Sequence, residues 1–254
     1  MGVTIERNAT VGTVVIDRPA VRNAVDGRTA EALYGAFLEL DHDDSISVCV
    51  LWGSGGTFCS GADMRAIGSD QTHRLEVDGH GPMGPTRLTM SKPVIAAIEG
   101  HAVAGGLELA LWCDLRVGSE LSVFGVLCRR WGVPLIDGGT VRLPQIVGVG
   151  HAMDMILTGR EVSAREAKDI GLINRIVPEG SARKEAEALA RTIAAFPQIC
   201  LRSDRSALRE GVGAPTDEAM RREFELGMET IASGETMAGV ERFRDGHGRH
   251  GAPE

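Results

Sequence analysis

SKPVIAAIEGHAVAGGLELALWCDLRVGS, residues 91–119, contains a short apolar run, a glycine break and a second apolar run. The first run, residues 94–98, has the length and composition of a buried strand, and it stops at Gly100. Gly105 and Gly106 open the second, in which Leu107, Leu109, Ala110, Leu111 and Trp112 cover nearly every face of a short buried helix. Glu108 falls in its first turn. Burying a lone carboxylate costs on the order of several kcal/mol unless it is paired or takes up a proton. Two readings compete for it. It bonds to free amides of its own first turn, where a negative charge is favoured by roughly 0.3–1 kcal/mol, or it is a general acid or base of raised pKa beside backbone donors. The double glycine leans toward the second, because without a Cβ a ligand comes within reach of main-chain N–H groups.

Outward from that stretch, the chain reads as a compact α/β protein. Of its 254 residues 43% are hydrophobic and 24% charged, an ordinary globular balance that excludes extended disorder. The net charge of −8 argues against nucleic acid and anionic bilayers as partners. No apolar run is long enough to span a membrane. The five cysteines form no CxxC pair and the chain does not open on a signal-like segment, so a reduced, cytoplasmic setting is expected. The seven histidines include no HExxH, so no metal site is expected.

Strands are expected over residues 4–6, 13–17, 46–52 and 172–177, and a helix over 26–41, where Ala30, Leu33, Phe37 and Leu40 recur at helical spacing. GSGG at 53–56 is turn chemistry and not a phosphate loop. FCSGADM, residues 58–64, returns toward the core through Gly61, with Ala62 and Asp63 beginning a short helix. Residues 68–86 read as a surface loop with His73 and His80 exposed. Two short helices joined at glycine follow at 138–157, and Ser163 and Glu166 have capping-box spacing for another. Past Pro178 only helices are expected. The composition shift near Phe196 divides the chain into a core, residues 1–195, and a helical module, residues 196–254, whose tail GHGRHGAPE is read as frayed. Met220, Phe224, Met228, Ile231 and Met237 form an apolar set that covers either the core or a neighbouring subunit.

FCSGADM, HAVAGGLELALWCDLRVGS, GGTVRLPQIVG with AMDMILTGR, and LINRIV together resemble the enoyl-CoA hydratase and isomerase family, the crotonase superfamily, over essentially the whole chain. The resemblance implies a spiral of ββα units with a C-terminal helical trimerisation region, assembled as a homotrimer or a dimer of trimers. It implies an acyl-CoA thioester as substrate, with coenzyme A part of that substrate and no separate cofactor. The main-chain N–H groups of Ala62 and Gly105 are then expected to hold the thioester oxygen. DRPAVRNAV, residues 17–25, resembles the family's CoA-contacting stretch, which makes Arg22, Ala24, Ala62, Asp63, Met64 and Gly105 the expected CoA contacts. Arg18, Arg22 and Arg65 are the candidates for a local positive patch.

Glu108 falls on one of the two hydratase glutamates, and Cys128 stands where the second belongs. A thiol does poorly the work that two carboxylates share in syn hydration. Asp137 lies one residue beyond the position from which dienoyl-CoA isomerases offer an aspartate. It is read either as a cap before Gly138 or as an acid/base group facing Glu108, with Arg129 or Arg130 as a partner that lowers its pKa. The activity expected is that of an enoyl-CoA hydratase. A double-bond isomerase, or a non-catalytic acyl-CoA-binding protein, is the alternative that Cys128 raises.

Overall fold

The computed structural model describes residues 2–247, so most of the tail from residue 246 lies outside the described residues. The chain divides into two compact units, the first ending at Ile193 and the second beginning at Ala194.

The first unit opens with an antiparallel pair, β1 (Val3–Asn8) on β2 (Val11–Ile16). Helix α1 (Gly27–His42) follows, capped by Asp26, whose carboxylate accepts from the Thr29 amide at 2.8 Å. At its other end the buried Lys92 ammonium donates to the carbonyls of Leu40 and Asp43, satisfying acceptors that the last turn leaves open. Strands β3 (Val48–Gly53), β4 (Val94–Ile98), β6 (Leu115–Ser119) and β9 (Arg175–Val177) extend the sheet in the order β1-β2-β3-β4-β6-β9, parallel from β2 onward. Every residue of β2 and β4 is buried, as expected of strands inside such a sheet.

Each of two strands of this sheet turns into a three-residue strand of a second, smaller one. β4 passes through Gly100 into β5 (His101–Val103), and β6 continues into β7 (Val123–Gly125). β5 and β7 pair in parallel, and β8 (Val162–Ser163) closes antiparallel on β7. Helix α2 (Gly105–Trp112) follows β5. α3 (Gly139–Thr158) follows β7, after a 3-10 turn at Leu127–Trp131. Strand, short strand, helix is thus a repeated spiral unit. α3 is interrupted at Gly148, whose φ of 77° breaks the helix where a glycine joint was expected. α4 (Ala164–Asp169) starts on the predicted Ser163 cap, whose hydroxyl accepts from Glu166 N–H at 3.3 Å. α5 (Ala182–Ala194) ends the unit.

The second unit is helical: α6 (Gln198–Gly211), α7 (Thr216–Ala232) and α8 (Glu235–Arg244), the last joined to the start of α6 by Glu235, whose carboxylate accepts from the amides of Ile199 and Cys200.

Three expectations are corrected. Ala62 forms a β-bridge with Val25 and turns follow from Met64, so no helix begins at Ala62 and Asp63. The strand expected at 172–177 shrinks to its last three residues, because Leu172 and Ile173 are buried in the core instead. Residues 68–86 are not a surface loop throughout. Residues 81–86 are buried, and His73, only 7% exposed, places its ring nitrogen Nε2 2.7 Å from the Val25 carbonyl.

A Cβ built on Gly106 would lie 2.1 Å from the Cys59 carbonyl oxygen, whereas one on Gly35 in α1 meets nothing within 4 Å. Gly106→Ala is therefore expected to destabilise by about 3 kcal/mol or more through forced separation of backbone, while Gly35→Ala stabilises by up to about 1 kcal/mol through helix propensity. Urea unfolding of both variants checks the pair, and equal effects would contradict the close approach.

Candidate active site

Residues 57–62 lie alongside β5. Cys59 N–H donates to His101 O at 2.9 Å, and Val103 N–H donates back to Cys59 O at 3.2 Å. The pairing brings Gly61 against the start of α2: a Cβ on Gly61, whose φ is +101°, would stand 3.0 Å from the Gly105 nitrogen. On its other side the same segment bridges Val25, with Val25 N–H donating to Gly61 O at 2.9 Å and Asp63 N–H to Val25 O at 2.6 Å. These bonds bracket Ala62. Its own N–H has no acceptor among the described residues. Gly105 is the first residue of α2, where an N–H has no partner within the helix, and none is supplied from elsewhere among the described residues. The preceding Ala104 sits at φ 53°, ψ −127°, a conformation sparsely populated by residues that carry a Cβ and one that clusters at functional sites.

Glu108, 2% exposed, does not bond to amides of its own helix. Its Oε1 accepts instead from Asp137 N–H at 2.9 Å and Gly139 N–H at 2.8 Å, at the start of α3. A Cβ on Gly139 would lie 2.9 Å from that oxygen, so a larger residue there would crowd the carboxylate. Burial, and then the charge of Asp137, push the Glu108 carboxyl up to about 7; the two amides and Arg142 pull the other way without cancelling the shift. Both amides bond to one oxygen, which leaves Oε2 as the atom available for proton exchange.

Asp137 is buried too, and its side chain caps nothing. The N-cap of α3 is Gly138, with no side-chain bond. The Asp137 carboxylate turns to residues 81–86, accepting from the Met83 amide at 2.9 Å and from the Thr86 hydroxyl. Arg129 and Arg130, expected partners, donate to the carbonyls of Ile156 and Gly159 instead. Arg142 reaches the Asp137 carbonyl at 2.9 Å and that of Thr86 at 2.6 Å, while the charges that act on the carboxyl itself are those of Arg87 and His73. The Asp137 carboxyl accordingly lies above its ordinary range and not below it, burial outweighing its hydrogen bonds. Cys128 is 8% exposed, and burial together with the Glu108 charge holds its thiol above the usual value, hence neutral.

Ala62, Met64, Gly105, Glu108, Cys128 and Asp137 all line one cavity of about 450 Å³. His73 lines it too, although no periodicity or motif singled it out. Arg22, Ala24 and Asp63 lie outside this lining. Arg22 and Asn23 both have positive φ, and the turn is fixed by the fully buried Asn23 amide, which donates to the carbonyls of Ser54 and Thr57. Ala24 is buried, and its carbonyl accepts from the Arg18 guanidinium. That guanidinium also pairs with Asp26 at 2.7 Å and Asp63 at 3.4 Å, so Arg18 is a clamp and not a free element of a positive patch. Arg22 and Arg65 are exposed and have no acidic partner among the described residues.

The profile of the enoyl-CoA hydratase/isomerase family matches residues 6–247. The chain is 33% identical to enoyl-CoA hydratase EchA19 of Mycobacterium tuberculosis, covering 95% of this chain and 92% of that protein. It is 32% identical to a crotonyl-CoA hydratase of Syntrophomonas wolfei, over 86% and 85% of the two chains. Among solved structures, an enoyl-CoA hydratase from Mycobacterium tuberculosis superposes with a TM-score of 0.91 at 32% identity, covering 96% of each chain.

The Glu108 carboxyl rises from its ordinary 4.5 to about 7 in the fold, so the folded state binds the extra proton across that window. Stability is then lost as pH rises through it. Relative to Glu108→Gln, the native chain is expected to lose about 2 kcal/mol of unfolding free energy between pH 5 and pH 8. Urea titrations of both at the two pH values check this; a constant difference would return Glu108 to ordinary acidity.

Proposed function

Since the chain belongs to the enoyl-CoA hydratase/isomerase family, we propose that it adds water reversibly across the double bond of a 2-enoyl-CoA. The observation that carries this proposal is a buried glutamate with a pKa near 7 in one cavity with two main-chain N–H groups that lack acceptors among the described residues. In the proposed mechanism the N–H groups of Ala62 and Gly105 hold the thioester oxygen as negative charge develops on it. One preorganised donor of that kind is worth roughly 3 kcal/mol in the transition state. Ionised Glu108 takes a proton from water as its oxygen bonds to C3, and neutral Glu108 returns that proton to C2. The water thus adds as hydroxyl and hydrogen, and no further reactant is needed. A group serving as base and then as acid works best with a pKa near the working pH, which is where burial places Glu108. Asp137 supports this role through its N–H bond to Oε1 and through the charge that keeps Glu108 from ionising too readily.

Coenzyme A enters with the substrate, and no separate cofactor is proposed. Arg22 and Arg65, exposed on either side of the Val25–Ala62 bridge in sequence, are the proposed contacts for its phosphates. Double-bond isomerisation is the second reading, favoured by the neutral Cys128 thiol, which the resemblance puts at the position of the second hydratase carboxylate. One carboxylate that removes a proton and returns it at another carbon suffices for that reaction. The proposed assembly is a homotrimer or dimer of trimers, supported by exposed Met220, Phe224, Met228 and Ile231 along α7.

Hydration is expected to appear as loss of the conjugated thioester absorbance with formation of 3-hydroxyacyl-CoA. A shifted alkene instead identifies an isomerase, and no conversion at any chain length rejects both. Glu108→Gln is expected to lower kcat by about 10²- to 10⁴-fold, and native kcat/KM to fall as pH drops below about 7, where Glu108 loses its basic form. Sedimentation at micromolar concentration is expected to give three or six chains; a monomer would refute the assembly.

A further inference from the structure

We infer that the acyl group this site accepts is an unsubstituted medium- to long-chain hydrocarbon, in preference to a four-carbon one. The inference rests on the reaction proposed above, which fixes two points along the substrate. With the thioester oxygen at Ala62 and Gly105 and C3 at Glu108, the rest of the acyl chain must leave past Glu108. The wall adjoining Glu108 there is the segment that carries Cys128, whose thiol senses the Glu108 charge, and it continues to Trp131 and Ile136. Leu75, two residues beyond the buried His73, also lines the cavity.

These side chains are not part of the core. Trp131 is 71% exposed, Leu75 70% and Ile136 45%, yet all three line the cavity that holds Glu108. Large apolar side chains left exposed along one cavity mark a surface meant to be covered. Apart from Glu108, Asp137, His73 and the neutral Cys128 thiol, the lining carries no ionisable side chain. Beyond those four residues a carboxylated or amino-bearing tail would find no charged partner in the lining, whereas a hydrocarbon covers apolar surface with every added methylene, each worth severalfold in binding. A four-carbon acyl group ends one carbon past C3, so on this proposal it does not cover the indole and Leu75.

The deciding measurement is the ratio of kcat/KM for 2-decenoyl-CoA to that for crotonyl-CoA, together with calorimetric binding of decanoyl-CoA and butyryl-CoA, which need no turnover. The native enzyme is expected to favour the ten-carbon member by about tenfold or more in both measurements. In the variant carrying Trp131→Ala and Leu75→Ser, both at exposed positions the fold does not depend on, each ratio is expected to fall to about one-third or less of its native value. Equal or tighter binding of butyryl-CoA overturns the inference, as does a ratio that the double variant leaves unchanged. Decanoyl-CoA bound tightly but no substrate converted upholds the tail site while defeating the hydratase reading, so the two fail separately. If Trp131 is instead covered by a second copy of this chain, its fluorescence shifts with protein concentration and ignores decanoyl-CoA, which also overturns the inference.

Discussion

Two backbone segments, residues 59–62 and 103–106, pass closer together than side chains would permit. The Cys59 carbonyl occupies the space in which a Cβ of residue 106 would sit, and residue 61 touches the first nitrogen of α2. Main-chain atoms approach this closely only when glycine stands at the contact and its torsion is free to go positive, as at Gly61. The bonds around the contact fall on the neighbours of Ala62 and Gly105 and leave those two N–H groups without acceptors among the described residues. These two N–H groups stand beside a helix start in one cavity, the arrangement on which the proposed thioester binding rests.

That constraint extends to the carboxylate. α2 begins at Gly105 because β5 ends against residues 59–62, and Glu108 therefore lies one turn in, with its Oε1 held by the amides that begin α3. Two amides on a carboxylate normally favour its charged form. Burial and Asp137 overcome them, and the result is a group balanced between its two protonation states near neutrality. Asp137 acts twice on it: its N–H binds the Glu108 oxygen, while its carboxylate, tied to residues 83 and 86, repels the same charge.

Much of this arrangement was legible in the chain. The bounds of β4 and α2 follow from apolar runs cut by glycine, and Glu108 stood out because nothing in its run called for a charge. The small sheet was not legible, since strands of two or three residues are too short to show alternation. His73 passed as a loop residue because its burial comes from Val25, 48 positions away, and no local pattern reports such a bond. Asp137 preceded two glycines and so resembled a cap, but its partners lie 51 and 54 positions earlier. Arg18 looked free because Asp26 and Asp63, which engage it, converge only after the Val25–Ala62 bridge forms.

Cys128 matters more for the charge it lacks than for chemistry of its own. A second carboxylate at that position, close enough for the present thiol to feel the Glu108 charge, would raise both pKa values, as like charges in one buried site do. One of the pair would then remain protonated at neutral pH, and the two would divide the duties of acid and base. With a thiol there the division is lost, and the only other carboxylate in the cavity lining, Asp137, has its Oδ1 engaged by Met83 and Thr86. In the proposed hydration Glu108 would perform both proton transfers in sequence, a role that a pKa near 7 suits better than an ordinary carboxylate of 4.5. Burial against the start of α3 is therefore the feature on which the proposed single-carboxylate chemistry depends.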